Sequence, residues 1–170
     1  MKKREIKAQQ SIGMSFGTIF SIIIIIFIVV IAFIAINYFL DLKKCTQLGL
    51  FKKDLQEEIN RAWHSEKSES EFKAALPSSI KAVCFANFSK TGAIGISSDI
   101  YDDVSFYSIE DANMFFYPST DACDIPYQKI ENIDLDEIVG IKKAKCFDVI
   151  DGQISIIIKK ERNQALVSLN

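Results

Sequence analysis

The uncharged stretch from Ile12 to Leu40 constrains this chain more than any other feature. No Asp, Glu, Lys or Arg occurs between Lys7 and Asp41. A helix of these 29 residues has a length of about 43 Å, whereas the hydrocarbon core of a bilayer is about 30 Å thick. The sequence therefore predicts one membrane-spanning helix at residues 12–40, preceded by a basic leader at residues 1–11.

The charges on either side of this helix predict its orientation. Residues 1–10 carry four basic and one acidic side chain, which gives +3, while residues 41–170 carry 16 basic and 21 acidic side chains, which gives −5. By the positive-inside rule the amino terminus is cytoplasmic, and residues 41–170 are extracytoplasmic in a single-pass protein of the cell membrane. The acidic balance of that part also argues against nucleic acid as a partner.

A cleaved secretory signal is the alternative to a retained anchor. The apolar region of a secretory signal is about 7–15 residues long and ends at a small-x-small cleavage site. Here the apolar run is twice that length and ends at Asn37–Leu40, which lacks such a site. The pattern favours a signal anchor in contact with the lipid bilayer.

Small residues predict a helix-packing face within the anchor. Gly13, Gly17 and Ser21 are spaced by four residues and so share one helical face. Such a face lets two helices approach closely in lipid, and it predicts self-association through the membrane helix. The alternative is that glycine is simply frequent near the ends of spanning helices.

The helix is expected to continue beyond the membrane as an amphipathic segment at residues 41–64. An apolar stripe recurs at spacings of three and four residues, and polar side chains are expected on the opposite, solvated face. The stripe consists of Leu42, Cys45, Leu48, Phe51, Leu55, Ile59 and Trp63. The predicted polar face consists of Lys52, Lys53, Asp54, Gln56, Glu57 and Glu58.

Residues 72–170 have the pattern of a β-rich domain, which makes the predicted fold class α+β. A long amino-terminal helix would pack on a small, mostly antiparallel sheet. The predicted strands are Ile80–Phe88, Asn113–Tyr117, Lys145–Ile150, Gln153–Lys160 and Ala165–Leu169, with a helical turn within Ile133–Val139.

Two connections have clear local signals. Ser65–Glu71 is polar and lacks periodicity, so it is predicted to be a loop. Asp151-Gly152 separates two strand-like runs, and this dipeptide favours a two-residue hairpin turn between them. We therefore expect Lys145–Ile150 and Gln153–Lys160 to pair as a hairpin.

Few side chains are candidates for catalysis or metal binding. His64 is the single histidine, and its place at the predicted helix end favours a cation near the helix carboxyl terminus over a metal ligand. No nucleophile, phosphate-binding or dinucleotide motif occurs, so we expect neither an enzyme nor a cofactor. Two acidic clusters lack the spacing of a calcium loop: Asp99, Asp102 and Asp103, and Asp134, Asp136 and Glu137.

All four cysteines follow the anchor: Cys45, Cys84, Cys123 and Cys146. An even number on the oxidising side predicts two disulfides, although buried free thiols are the alternative. Three pairings are possible. We prefer Cys123–Cys146, which closes a loop of about 23 residues, and then Cys45–Cys84.

Asn87-Phe88-Ser89 forms an N-x-S sequon. It predicts possible N-glycosylation of Asn87 in a glycosylating host, provided that the side chain faces solvent. Because Asn87 falls within a predicted strand, the alternative is an unmodified residue.

The first 40 residues resemble archaeal type IV pilin-like proteins with class III signal peptides. The resemblance is carried by Lys7-Ala8, by the polar Gln9-Gln10-Ser11 patch and by the apolar run. It implies cleavage between Ala8 and Gln9, helix bundling in a filament, and a β-rich head on the outer half of the helix. The family usually has glutamate five residues past the cut, where this chain has Gly13.

Two function classes follow from these observations. The first is a structural surface subunit that assembles in a filament or envelope structure. The second is a permanently anchored protein whose outer domain binds another envelope protein or a ligand. A membrane-tethered enzyme is a distant third.

Overall fold

The computed structural model describes residues 16–170. The predictions for Ala8, Gln9 and Gly13 therefore lie outside the described residues. Internal contacts divide the chain into a unit that ends at Asp41 and a unit from Leu42 to Asn170, and each is described by itself.

The first unit contains the apolar part of helix α1, which spans Phe16–Trp63. The most apolar 18-residue window of this helix has a mean hydropathy of 3.6, and none of the window is buried. The helix is long and apolar enough to cross a membrane, as predicted. It contains no proline, and Gly49 does not interrupt it.

The second unit combines the end of α1 with two further helices and seven strands in the described chain. This confirms the α+β class. In chain order the elements are β1 (Ser68–Ala75), β2 (Ala82–Ala86), α2 (Ser98–Ser105), β3 (Met114–Tyr117), a 3-10 turn (Ser119–Asp121), β4 (Tyr127–Gln128), α3 (Leu135–Val139), β5 (Ala144–Asp148), β6 (Gln153–Lys160) and β7 (Ser168–Leu169).

The strands form two antiparallel sheets. Sheet A has three strands in the order β1-β6-β7, and sheet B has four in the order β4-β3-β2-β5. Every pairing between these strands is antiparallel. The prediction of a mostly antiparallel sheet is confirmed, but the strands divide between two sheets.

The main core lies where α1 meets both sheets. Leu48, Phe51, Leu55 and Ile59 of the predicted stripe are fully buried or nearly so. The ring of Phe51 contacts Phe72 of β1 and Phe116 of β3, with ring centroids 5.8 and 5.6 Å apart. One helix face therefore packs against both sheets at once.

The ends of the predicted stripe are wrong. Leu42 is 50% exposed and Trp63 is 38% exposed, whereas Ala62 is buried at the end of the helix. The indole of Trp63 instead donates to Ala165 O at 3.0 Å. A bulky amphipathic ring at the helix end reaches a backbone acceptor at the surface more readily than it fits the closed core.

A second, smaller core lies on the opposite face of sheet B, under α2. Val104 of α2 packs there with Cys84 and Phe115, which are all buried. All five residues of β2 are buried, since this central strand is covered on both faces. Helix α2 is absent from the sequence-based prediction, because the clearest local signal of this stretch is its acidic cluster of Asp99, Asp102 and Asp103.

The polar segment Ser65–Glu71 is not a loop throughout, because β1 begins at Ser68. All eight residues of β1 pair with β6, and only Phe72 is buried. Backbone hydrogen bonds to a long neighbouring strand thus outweigh the weak strand propensity of SESE.

The predicted hairpin is right at its turn and wrong in its pairing. Asp151 and Gly152 have positive φ values of 51° and 72°, as a type I′ turn requires. Ile150 and Gln153 bond to each other across this turn. Beyond them the strands separate, because β5 pairs with β2 in sheet B and β6 pairs with β1 in sheet A.

Candidate functional site

The cysteines form two disulfides, which confirms their number but not the preferred pairing. Cys45 pairs with Cys123 over a Cα–Cα distance of 5.9 Å, and Cys84 pairs with Cys146 over 3.9 Å. The preference rested on loop length alone. Cys84 and Cys146 lie directly opposite each other on β2 and β5, so strand register decides the pairing.

The first disulfide belongs to a set of contacts that hold residues 119–128 against α1. Lys44 forms a 2.9 Å ion pair with Asp121, two residues before Cys123. Lys52 lies eight residues after Lys44 on the helix. Its ammonium donates to Ile125 O and Tyr127 O, both at 2.8 Å. Covalent, ionic and hydrogen-bonding contacts thus fasten this segment to the helix.

Lys52 is buried, which corrects its assignment to the solvated face of the helix. Its side chain is 7% exposed, and its nitrogen lies 5.5 Å from the centroid of the Phe116 ring. Desolvation by burial lowers the pKa of Lys52 to about 8. The signal was present in the sequence, because Lys52 lies four residues after Leu48 and three before Leu55.

The second disulfide borders a groove with a volume of about 620 Å³. A volume of this size is within the range of ligand-binding pockets. We call it the β5 groove. It is lined by the Gly95–Ile100 stretch, α3 and the residues after it, β5 and Asn170; the apolar members are Ile96, Ile100, Ile138, Val139, Ile141 and Ala144.

The hydrogen bonds between β2 and β5 alternate along the strands. Asn87 N–H donates to Lys143 O and Val149 N–H donates to Lys81 O, each at 2.8 Å. In an antiparallel pair, bonded and non-bonded positions alternate. It follows that the odd-numbered residues of β5 bond to β2, while the backbone groups of the even-numbered residues point to the outer edge.

Only the first part of this outer edge is covered. Ala144 N–H donates to Ile94 O at 3.1 Å. The chain then turns away at Gly95, which has a φ of +86° and where an added Cβ would lie 2.7 Å from Ala144 O. Within residues 16–170, the N–H and C=O groups of Cys146 and Asp148 have no backbone partner. An open strand edge therefore lies in the β5 groove.

Charged side chains border the β5 groove with both signs. Lys142 is exposed at the end near Ile94, and Asp148 is exposed at the other end. Lys145 turns toward the core, where it donates to Leu169 O at 3.2 Å, and burial lowers its pKa. Glu137 accepts a 2.8 Å bond from Gln164.

The acidic clusters have structural contacts. Asp103 accepts bonds from Ser119 N–H and its hydroxyl, at 2.8 and 2.6 Å. Asp134 caps α3 by accepting from Glu137 N–H at 2.9 Å. The hydrogen bond and charge of Lys90 lower the pKa of Asp136. Among residues 16–170, no group of three or more His, Cys, Asp or Glu side chains is placed to hold a metal ion.

His64 and Asn87 are also engaged locally. Nδ1 of His64 lies 2.7 Å from Asn60 O, and because a carbonyl only accepts, this nitrogen carries the proton. Asn87 follows β2, outside the strand where it was predicted. Its Oδ1 accepts from Ser89 N–H at 3.2 Å and its Nδ2 donates to Asp136 at 3.3 Å. Its glycosylation stays a prediction.

Two members of the predicted packing face lie within the described helix. Gly17 and Ser21 are exposed, and the Ser21 hydroxyl donates to Gly17 O at 2.8 Å. The hydroxyl is therefore satisfied inside its own helix. This face offers a close backbone approach rather than a free donor, and its role in association stays a prediction.

Comparison with family models, with curated proteins and with solved structures found no match to this chain.

Proposed function

We propose that this protein is a pilin-like, membrane-anchored structural subunit of the cell surface. The amino terminus would lie in the cytoplasm, and residues 42–170 would form an extracytoplasmic domain. We propose a structural role without a cofactor because the sequence contains no nucleophile, phosphate-binding or dinucleotide motif. The proposal concerns assembly at the membrane and assigns the protein no reaction.

The observation that carries the proposal is the dual character of α1. Its first part is apolar on all sides, while its last part supplies Leu48, Phe51, Leu55 and Ile59 to the core. One helix, Phe16–Trp63, therefore contains both the apolar segment and residues of the core. The Cys45–Cys123 disulfide supports the same reading, because stable disulfides are typical of oxidising compartments.

A permanently anchored binding protein is the second candidate. The β5 groove favours it, since a structural subunit alone does not need a groove with unpaired backbone groups. The sequence difference at Gly13 also favours it, because the family resemblance implies glutamate at that position for subunit registration.

Intact-mass analysis of the protein from its native membranes distinguishes the two candidates. Loss of residues 1–8 is expected for a processed pilin-like subunit, whereas an unprocessed mass is expected for a permanent anchor. Protease added to intact cells provides the topology control. Digestion of residues 42–170 without lysis is expected, and their protection would contradict the orientation that both candidates require.

A further inference from the structure

We propose that the β5 groove binds an extended peptide segment of a partner protein, which adds a strand to the outer edge of β5. The partner strand has apolar side chains at alternate positions, an acidic residue near Lys142 and a basic residue near Asp148. This inference goes beyond the proposed function, because it depends neither on leader cleavage nor on filament formation.

The outer edge of β5 has unpaired backbone groups. Cys146 and Asp148 each direct an N–H and a C=O outward, and a second strand is the structure that satisfies such a row at regular spacing. The chain itself shows that the edge accepts a neighbour. Ala144 N–H donates to Ile94 O at 3.1 Å, before the covering segment turns away at Gly95. A partner strand would continue this pairing.

Isoleucine side chains line the β5 groove beside this edge. Ile96 and Ile100 border the edge on one side, and Ile138 and Ile141 border it on another. Ile141 lines the groove two residues after α3 and is 88% exposed. Since side chains of a strand alternate in direction, an added strand would place every second side chain against these isoleucines.

The two ends of the β5 groove carry opposite charges. Lys142 lies two residues before β5, Asp148 is the last residue of β5, and both side chains are exposed. No ion pair involves either side chain in the described part of the chain. Because the charges at the two ends of the groove are opposite, a partner strand of complementary charge is favoured in only one of its two orientations along the groove.

A proline substitution at Asp148 tests the outer edge of β5 without removing a hydrogen bond between β5 and β2. Asp148 faces Ala82 at a non-bonded position, so Asp148→Pro removes an outward N–H and no bond to β2. Proline is tolerated where a strand N–H faces outward. Asp148→Ala is the matched control, because it removes the same carboxylate and keeps the N–H.

The test uses the full-length oxidised protein in detergent micelles and a displayed library of random nonapeptides. An enriched peptide is synthesised with a fluorescent label, and its dissociation constant is measured by anisotropy. We expect alternating apolar residues with opposite charges at the two ends. Affinity for Asp148→Pro should be about tenfold lower than for Asp148→Ala, the size of effect of one hydrogen bond. Exchanging the two charges of the peptide should also weaken binding.

Hydrogen exchange in the wild-type protein gives a second readout that needs no variant to fold. Binding of the peptide should slow exchange at the amides of Cys146 and Asp148, and leave the already bonded amide of Ala144 little changed. The proposal is overturned if no peptide is enriched, if the Pro and Ala variants bind equally, or if these two amides exchange at the same rate with peptide bound.

Discussion

Replacing Lys52 with methionine tests whether a charged lysine is buried in the core. The side chain is 7% exposed, and its acceptors are two backbone carbonyls rather than a carboxylate. Methionine has a similar length and no charge, so Lys52→Met removes the titrating group with little change in packing. The two carbonyls lose their donor in this variant. For that reason, the pH dependence of stability is more informative than the stability at one pH.

The magnitude follows from the pKa of Lys52. Burial lowers it from 10.5 in the unfolded chain to about 8 in the folded protein. At pH 7 both states are charged, and the shift corresponds to a destabilisation of about 3 kcal/mol. Between pH 8 and 10.5 the unfolded chain binds more protons than the folded one. The free energy of unfolding therefore rises with pH in this window, by about 3 kcal/mol from this residue.

The assay is denaturant unfolding of the oxidised full-length protein in mild detergent from pH 7 to 10.5. Fluorescence of Trp63, the single tryptophan, reports the packing of the outer domain. Other groups titrate in both proteins, so the quantity of interest is the stability of the wild type minus that of Lys52→Met. We expect this difference to increase by about 3 kcal/mol. Parallel stability curves for the two proteins would refute the burial of a charged Lys52.

Three further predictions follow from the core, the disulfides and the membrane helix. Cys123→Ser should leave one alkylatable thiol at Cys45 and lower the free energy of unfolding by about 2–5 kcal/mol; an unmodified Cys45 after alkylation would contradict the pairing. Phe51→Ala should lower the free energy of unfolding by about 3–5 kcal/mol, because it leaves a cavity where α1 meets both sheets. A loss below about 1 kcal/mol would refute this position of Phe51 in the core. Gly17→Ile should abolish cross-linked oligomers in membranes while Ile25→Leu preserves them; oligomers that persist in Gly17→Ile would remove the packing face.

Local patterns were sufficient to predict the helix and several strands. The apolar run and the stripe of Leu48, Phe51, Leu55 and Ile59 depend on the 3.6-residue period of a single helix. Strands β2, β3, β6 and β7 lie within the predicted strands, because each is part of a short run of apolar residues that is visible in the sequence. The Asp151-Gly152 turn was predictable for the same reason: positive φ is a property of the dipeptide.

Long-range pairing was decided by the tertiary structure alone. Cys84 and Cys146 are separated by 62 residues, and only the register of β2 against β5 brings them together. Strand β1 forms because β6 supplies its hydrogen bonds, although its own sequence is polar.

The open edge of β5 has the same origin. Whether Cys146 and Asp148 face a neighbour depends on where the Ala93–Ile94 segment leaves the sheet, and no local periodicity encodes that position. Elements that arise from contacts within a few residues were predictable from the amino-acid pattern. The disulfide pairing, the burial of Lys52 and the β5 groove required contacts between distant residues, because each depends on which surfaces meet after folding.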